Sequence, residues 1–523
     1  MLHFVIVALM LLPHTCGQNP AIQVLLTNKG LQYGKHVGAE WIQDMLDHVT
    51  LPDIQGTFST LFGPVSYTLS GITITKCDFP EPNVEYSQEY SGFKTSITDL
   101  SVALSGNWAT KFGILHESGS FDMAIFGVDV TSVVKLEGKA DGHLSVSSII
   151  CDGEVQDVDI RLYGGFSWIF QPFVHYMKGH IIEEIRKNIC PAVQTSIEEL
   201  ESHLQAMNVS FDVNQVLSLE LPLSGSPVVS PSNLTLGLKG EFYSIQTHAE
   251  PPFKSKPFMM PNIPGYMLSA GVSEFTLNSA AYGYFSAGKL QILITEKMVP
   301  KFSPIHLNTS SMGPYIPQLP KLFPGLPMTL QVYATEAPTF SLQSDIVNLT
   351  VRAAVKASAV ESNGSSIPLF GVNVVVMLSG KMWIADGKVK GSVMLNNFTL
   401  TLASTQVGPF KTDSLENMCK KGIELFGVPQ VNKKLAEGVM LPRMKRIQPV
   451  NSILTVEKVS IYQSSSFCKF LFFFSNHTLF LENRDLLPFL QMLKCWTCCE
   501  ASSVVTSSKH KGLKSKSSLC FDF

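Results

Sequence analysis

The stretch WIFQPFVHYMKGHIIEEIRKNICPAVQTSIEELESHLQAM, residues 168–207, decides the fold. Its large apolar residues fall at Phe170, Phe173, Met177, Ile181, Ile185, Ile189, Val193, Ile197, Leu200, Leu204 and Met207. Steps of three and four make one stripe along a helix. Lys178, Glu183, Glu184, Arg186, Lys187, Glu198 and Glu199 take the other face. At about 1.5 Å of rise per residue, the helix reaches roughly 55–60 Å. Pro191 lies inside the pattern and predicts a kink. Cys190 sits beside it, and Cys151 lies in the strand-like stretch before the helix. In a secreted chain these two are candidates to tie helix to sheet. A long one-faced helix needs an apolar trough of matching length.

The preceding residues supply one. From 57 to 163 the pattern turns to alternation, as in Tyr67-Thr-Leu-Ser-Gly-Ile-Thr-Ile-Thr and Ser96-Ile-Thr-Asp-Leu-Ser-Val-Ala-Leu. Gly, Asn and Asp mark the turns. An antiparallel, strongly twisted sheet with one face left for helices is the natural reading. A short strand at 22–26 and a helix over 30–49, ended by Pro52, come before it. After residue 207 the alternation resumes, and Pro251, Pro252, Pro257, Pro261 and Pro264 then crowd together. That crowding reads as a linker at mid-chain, against the plainer reading of a surface loop.

The second half echoes the first. A short helix is expected within 314–323, strands over 328–410, and helical spacing over 413–435 interrupted by Pro429. Helix, many strands, helix appears twice, so two similar barrels is the economical architecture. The expected division is a signal peptide at 1–17, a first barrel domain at 18–247, a linker at 248–264, a second barrel domain with a shared central sheet at 265–463, and an atypical, poorly ordered tail at 464–523.

Composition narrows the function. The 523 residues are 45% hydrophobic and only 15% charged, with a formal net charge of −3. The sequence pI lies near 6.5. No broad cationic footprint for nucleic acid follows from this. No apolar run of about 18 residues follows the N-terminus, so no transmembrane helix is expected. The apolar core at 4–12, Pro13 and the small residues before Gly17 read as a secretory signal. Sequons at Asn208, Asn233, Asn308, Asn348, Asn363 and Asn397 fit an extracellular glycoprotein, as does a further one at Asn476. Cys495, Cys498, Cys499 and Cys520 cluster in the tail without regular zinc spacing, so no metal and no cofactor are expected.

No nucleophile elbow, zinc-protease helix, dinucleotide loop or phosphate loop occurs, and a lipid hydrolase lacks its nucleophile with base and orienter. His143 and His175 read as ordinary polar residues. The surplus is apolar surface, which points to a lipid site in the barrels and helix–sheet troughs. Each buried methylene of an acyl chain contributes about 0.8 kcal/mol, so a greasy tunnel with few polar groups suffices. By face, the pocket candidates are Leu31, Trp41, Met45, Phe173, Met177, Ile181 and Ile185; plain core packing explains each equally well.

Several stretches carry a family resemblance in order. They are Asn19-Pro-Ala-Ile, Lys29-Gly-Leu-Gln-Tyr-Gly, Leu51-Pro-Asp-Ile, Ser105-Gly-Asn-Trp, Ser118-Gly-Ser-Phe-Asp-Met, Leu238-Lys-Gly-Glu-Phe-Tyr, Ser273-Glu-Phe-Thr-Leu-Asn-Ser-Ala, Met298-Val-Pro and Lys434-Leu-Ala-Glu-Gly-Val-Met-Leu-Pro. Over residues 19–462 the chain resembles the family of bactericidal/permeability-increasing protein and lipopolysaccharide-binding protein. The resemblance implies an α+β boomerang of two similar barrels, each a twisted antiparallel sheet packed with long helices, joined by a central antiparallel sheet. It implies a phospholipid pocket per barrel, a Cys151–Cys190 disulfide, recognition of lipopolysaccharide or the bacterial outer membrane in innate defence, and no enzymatic activity. Bactericidal members carry Lys and Arg at the distal loops of the first barrel. Here Asn107-Trp-Ala-Thr-Lys-Phe-Gly-Ile-Leu-His keeps Lys111, and Leu46-Asp-His-Val-Thr-Leu-Pro-Asp carries acids. Weak lipopolysaccharide binding is expected, with Trp108 and Lys111 as the tip contacts. The alternative is a phospholipid or neutral-lipid transfer protein without antibacterial role. The family's closing strand is expected soon after 456–462; here unrelated residues follow Gln463, and residues 470–474 are a candidate substitute.

Overall fold

The computed structural model describes residues 19–46, 50–51, 53–60, 63–261, 263, 265–299, 306–441 and 447–469. The expected signal peptide, part of the acidic tip at 46–53 and the tail beyond 469 lie outside the described residues.

In chain order, β1 (Ile22–Thr27) leads into helix α1 (Asn28–Leu46). The strands β2 (Thr50–Leu51), β3 (Ile54–Thr60), β4 (Gly63–Asp78), β5 (Asn83–Ser87), β6 (Gly92–Phe112), β7 (Leu115–Gly138) and β8 (Leu144–Tyr163) follow. They form one antiparallel sheet in the order β2-β4-β6-β7-β8, with β3 on β4 and β5 on β6. A short helix Ser167–Phe170 and a 3-10 turn Gln171–Phe173 precede α2 (Val174–Gln205). Small strands β9 (Ser210–Asp212), β10 (Leu217–Glu220), β11 (Val228–Val229), β12 (Asn233–Leu238) and β13 (Glu241–Ser244) come next.

The second half opens with β14 (Leu268–Ser273) and α3 (Glu274–Ser286). Its sheet is built from β15 (Gln291–Thr295), β16 (Met328–Ala334), β17 (Thr339–Gln343), β18 (Ile346–Val360), β19 (Ser366–Ala385), β20 (Lys388–Thr405) and β21 (Val439–Met440). Helix α4 (Asp413–Gly422), a π turn at Ile423–Gly427 and α5 (Val428–Glu437) run between β20 and β21. The last strands are β22 (Ile447–Glu457) and β23 (Ser460–Lys469).

The long strands curl because their registers slip. In β4 the buried side chains are Val65, Tyr67 and Leu69, then Ile72, and Cys77 beyond a second shift between Ile74 and Lys76. A register shift between Ser70 and Thr73 moves the inward face from odd to even positions. Such a bulge bends the strand and increases its twist while keeping the apolar set inside. In β7, Phe121, Met123 and Ile125 point in, and Val128 resumes after Gly127. Gly127 has φ 59°, and a Cβ there would stand 2.4 Å from the Gln156 side chain. The positive φ favours glycine, and any larger residue would also have to push the Gln156 side chain aside.

Three departures from the sequence reading have local causes. The long helix breaks at Gln171–Phe173, where Pro172 sits, and runs on through Pro191. The second half's first helix is Glu274–Ser286, and the expected helix in 314–323 shrinks to Leu319–Leu322. α3 is apolar on nearly every side, with Phe275, Ala280, Ala281 and Tyr284 all buried, so no one-sided stripe announced it. Ordered strand also reaches Lys469, past the expected tail boundary at 464. β23 fills the slot between β14 and β22, so residues 464–469 close the central sheet.

That central sheet has the order β11-β12-β1-β14-β23-β22 and draws on the start, middle and end of the chain. The Pro-rich segment packs against it. Gln23 Nε2 donates to the Phe258 carbonyl at 2.8 Å, and the Tyr462 hydroxyl donates to the Met259 carbonyl at 2.8 Å. At the chain's start, Thr27 Oγ1 accepts the Gly30 N–H at 3.2 Å and caps α1, whose Gln32 amide donates to the Val84 carbonyl at 3.0 Å.

Cys151 of β8 and Cys190 of α2 are bonded, with 5.7 Å between their α-carbons and a sequence separation of 39. Closing a loop of that length removes chain entropy worth about 4 kcal/mol from the unfolded state. The Cys151→Ser, Cys190→Ser double variant is therefore expected to unfold at clearly lower temperature and lower denaturant. Calorimetry with and without reductant checks this; an unchanged midpoint in the reduced wild type contradicts it.

Candidate functional site

α2 lies across the inner curve of the first sheet. Its apolar stripe brings Met177, Ile181, Ile185 and Ile189 onto a cluster that includes Leu69, Leu104, Trp108, Phe121 and Met123. Ile181 has no exposed surface. The helix is fastened along its length. Lys178 pairs with Asp157, and Arg186 with Glu154. Near the C-terminal end, Glu201 accepts Lys139 Nζ at 2.5 Å, the Val146 N–H at 2.7 Å and the Ser145 hydroxyl at 3.1 Å. At the opposite end the Gln171 amide accepts the Leu162 N–H at 2.8 Å and donates to the Ile160 carbonyl at 3.0 Å. Gln171 and Glu201 thus take backbone groups at the free edge of β8.

The polar content of this region is sparse. The Tyr67 hydroxyl lies 2.9 Å from His180 Nδ1. Burial, with Glu184 adding to it, pushes the Tyr67 phenol up to about 12, so it stays neutral and protonated. Lys178 holds the Asp157 carboxyl below its ordinary range, with help from the Val158 N–H. Burial opposes ionisation of Glu201, but Lys139, the Val146 N–H and Ser145 outweigh it and hold that carboxyl low. Among the described residues no group of three or more His, Cys, Asp and Glu could hold a metal ion.

The pocket candidates separate. Met177, Ile181 and Ile185 come together against the sheet. Phe173 stands half-buried at the turn before α2, and Leu31 stands half-buried on α1, outside that cluster. Trp41 and Met45 fall within α1, but their side chains lie outside the described residues. The sheet side of the site, above all Leu69, Phe121 and Met123, was passed over in the sequence reading. The alternation at Phe121-Asp-Met-Ala-Ile was the available signal.

Trp108 requires a correction. It was expected at the distal tip, but it is 1% exposed. Its indole Nε1 donates to the Tyr163 carbonyl at 3.1 Å, and its ring centroid lies 5.8 Å from that of Phe170. Asn107 to Phe112 is the end of β6, so the side chains alternate, and position 108 falls on the inner face. Lys111 is exposed, across from His116. The turn itself is Gly113-Ile114, with φ 59° at Gly113 and Ile114 95% exposed. Phe166, just after β8, and Trp168 of the short helix Ser167–Phe170 are also exposed, Trp168 by 73%.

The second half repeats the arrangement with other residues. Leu415, Met418, Cys419 and Ile423 face a cluster with Phe370, Phe398 and Leu400. Glu416 accepts the Leu400 N–H at 2.8 Å. Asn432 accepts the Val393 N–H at 2.7 Å and donates to its carbonyl at 3.0 Å. Burial pushes the Cys419 thiol up to about 11, so it packs as a small apolar group.

Comparison with known proteins covers both halves. Residues 30–207 match the family model described as LBP / BPI / CETP family, N-terminal domain, and residues 212–465 match its C-terminal domain. The bactericidal permeability-increasing protein of Sebastes schlegelii is 35% identical over 450 residues, 86% of this chain and 95% of that protein. The lipopolysaccharide-binding protein of Bos taurus is 26% identical over 444 residues, 84% of this chain and 92% of that protein. A crystal structure of lipopolysaccharide binding protein superposes with a TM-score of 0.55 at 23% identity, covering 87% of this chain and all of that one. That likeness shows the fold, a boomerang of two curled sheets with a central sheet between them.

Truncating Trp108 to Ala is expected to cost about 3–5 kcal/mol through the cavity it leaves. Chemical denaturation checks it, and a loss under 1 kcal/mol contradicts full burial. Because the Glu201 pKa is depressed in the fold, its contribution is complete above the unfolded value of about 4.3 and fades as pH falls below it. The stability gap between wild type and Glu201→Gln is therefore expected to be constant near neutral pH and to narrow as pH falls below about 4.3, read by thermal melts across the acid range.

Proposed function

The chain belongs to the LBP / BPI / CETP family, and from that premise we propose that it is a secreted, non-enzymatic lipid-binding protein. In this reading it shelters phospholipid acyl chains beneath the helices of each half and meets bacterial lipopolysaccharide only weakly. The observation that carries it is the apolar face of α2, with Met177, Ile181 and Ile185, laid along the concave side of a curled sheet. Acyl chains ask for that chemistry, a long apolar trough with few polar groups. The division into a first barrel at 18–247, a linker at 248–264 and a second barrel at 265–463, here extended to 469, belongs to the same proposal. Exposed Asn208, Asn363 and Asn397 are the proposed glycan carriers. Asn233, Asn308 and Asn348 are half-buried, and Asn348 Oδ1 already accepts the Ser379 hydroxyl at 2.7 Å.

Relatives are named for lipopolysaccharide binding and bactericidal action. At the β6–β7 turn of this chain, Lys111 stands beside Ile114 and Leu115, both exposed and apolar. Charge-assisted recognition of phosphates needs several cations converging. This turn favours the second reading, a lipid carrier or transfer protein without antibacterial role.

Organic extraction of the purified, secreted protein followed by mass spectrometry is expected to release diacyl phospholipid. A chain that yields none sinks the pocket reading. Titration with lipid A is expected to give micromolar or weaker binding with a shallow salt dependence, and Lys111→Ala to change it by less than about threefold. Nanomolar binding that falls steeply with salt overturns the weakened tip.

A further inference from the structure

A further concavity lies away from both helix–sheet troughs, where the end of α3 meets the edge of the second sheet. It is an open groove of about 310 Å³, lined by Phe285, Gly288, Leu290, Gln291, Gln331, Tyr333, Ala334 and Lys356, with Gln291, Gln331 and Lys356 exposed to solvent. The register places its polar groups. Gln291 on β15 stands opposite Tyr333 on β16, and Gln331 on β16 stands opposite Lys356 on β18. Partners across an antiparallel pair, and residues two apart on one strand, project to the same face. Four polar side chains from three adjacent strands therefore converge, with Phe285, Leu290 and Ala334 beside them.

Lys356 Nζ lies 5.2 Å from the Tyr333 ring centroid, and no ion pair among the described residues includes it. Lys289 is exposed close by, and Arg352, two strand repeats before Lys356, is paired to Glu336 at 3.3 Å. The local balance is positive. The cavity is at the small end for a ligand site and too polar for an acyl chain. Gln291 Nε2 already donates to the Gly288 carbonyl at 3.1 Å, which fixes its amide and leaves its oxygen to accept. With the Gln331 carboxamide it offers acceptors and donors suited to hydroxyls, and the Lys356 ammonium offers a compact point charge suited to a carboxylate.

We infer that this concavity is a binding site for a carboxylated sugar, either free or carried on a lipid headgroup. Lys356 takes the carboxylate, Gln291 and Gln331 take ring hydroxyls, and Tyr333 provides a wall and a hydroxyl. The site does not depend on the lipid-pocket reading. It shares no residue with that trough.

Calorimetric titration of the full chain with sodium glucuronate, sodium acetate and glucose tests it. Glucuronate is expected to bind saturably in the millimolar range, more tightly than either acetate or glucose. Lys356→Gln, on an exposed strand position, is expected to weaken glucuronate by about tenfold or more, with an unchanged circular dichroism spectrum. Phosphatidylcholine vesicles with and without an alkyl glucuronide separate the two sources. Lys356-dependent binding to the glucuronide vesicles alone assigns the site to a lipid headgroup. Equal binding of acetate and glucuronate, unchanged binding by Lys356→Gln, or no saturation in either arm overturns the inference.

Discussion

The structure depends on one contact, the apolar stripe of α2 pressed into the inner curve of the first sheet. Neither partner is stable alone. A helix with Met177, Ile181, Ile185 and Ile189 on one side cannot leave them in water, and a sheet with Leu69, Trp108 and Phe121 on one face cannot stay open. Each such side chain contributes about 1.5–3 kcal/mol when fully buried. The curl is a condition of this contact. The slip at Ser70/Thr73 and the turn of the strand at Gly127 bend the sheet around the helix.

The free edge of each curled sheet raises a second problem, because unpaired backbone groups are costly when covered and adhesive when exposed. Side chains of the covering segments answer it in both halves. Gln171 and Glu201 take up the edge of β8. Glu416 and Asn432 do the same for β20. The two halves share a physical solution without a residue-level repeat. These bonds also set where each helix lies along its sheet, which the non-directional apolar contact alone leaves loose.

The helix–sheet contact is apolar with few polar groups, the chemistry that the proposed acyl-chain site calls for. The β6–β7 turn presents Ile114 and Leu115 with Lys111, a surface that differs from a cluster of cations. A concavity around Lys356 sits on the second sheet and has the size of a small polar ligand.

Periodicity determined a good deal. Steps of three and four between Phe170 and Met207, and alternation from Tyr67 to Cys151, are local properties, and they placed the long helix, the strands and the class of fold. Cys151 and Cys190 were legible as candidate partners because one lies in the strand-like stretch and the other within the helix, and the family resemblance implied their pairing. Other features depended on which neighbours arrive from far along the chain. Trp108 reads as a loop residue until β6 is known to continue to Phe112 and to alternate through it. α3 hides its helix because it is buried on nearly every side, and β23 becomes a strand through β14 and β22 on either side of it. Gln171, Glu201 and Asn432 look like surface polar residues, yet each finds its partner only across the helix–sheet contact. Side-chain pattern within one element is written in the chain; partnership between elements is decided by tertiary packing, because only there do separate patterns share one interior.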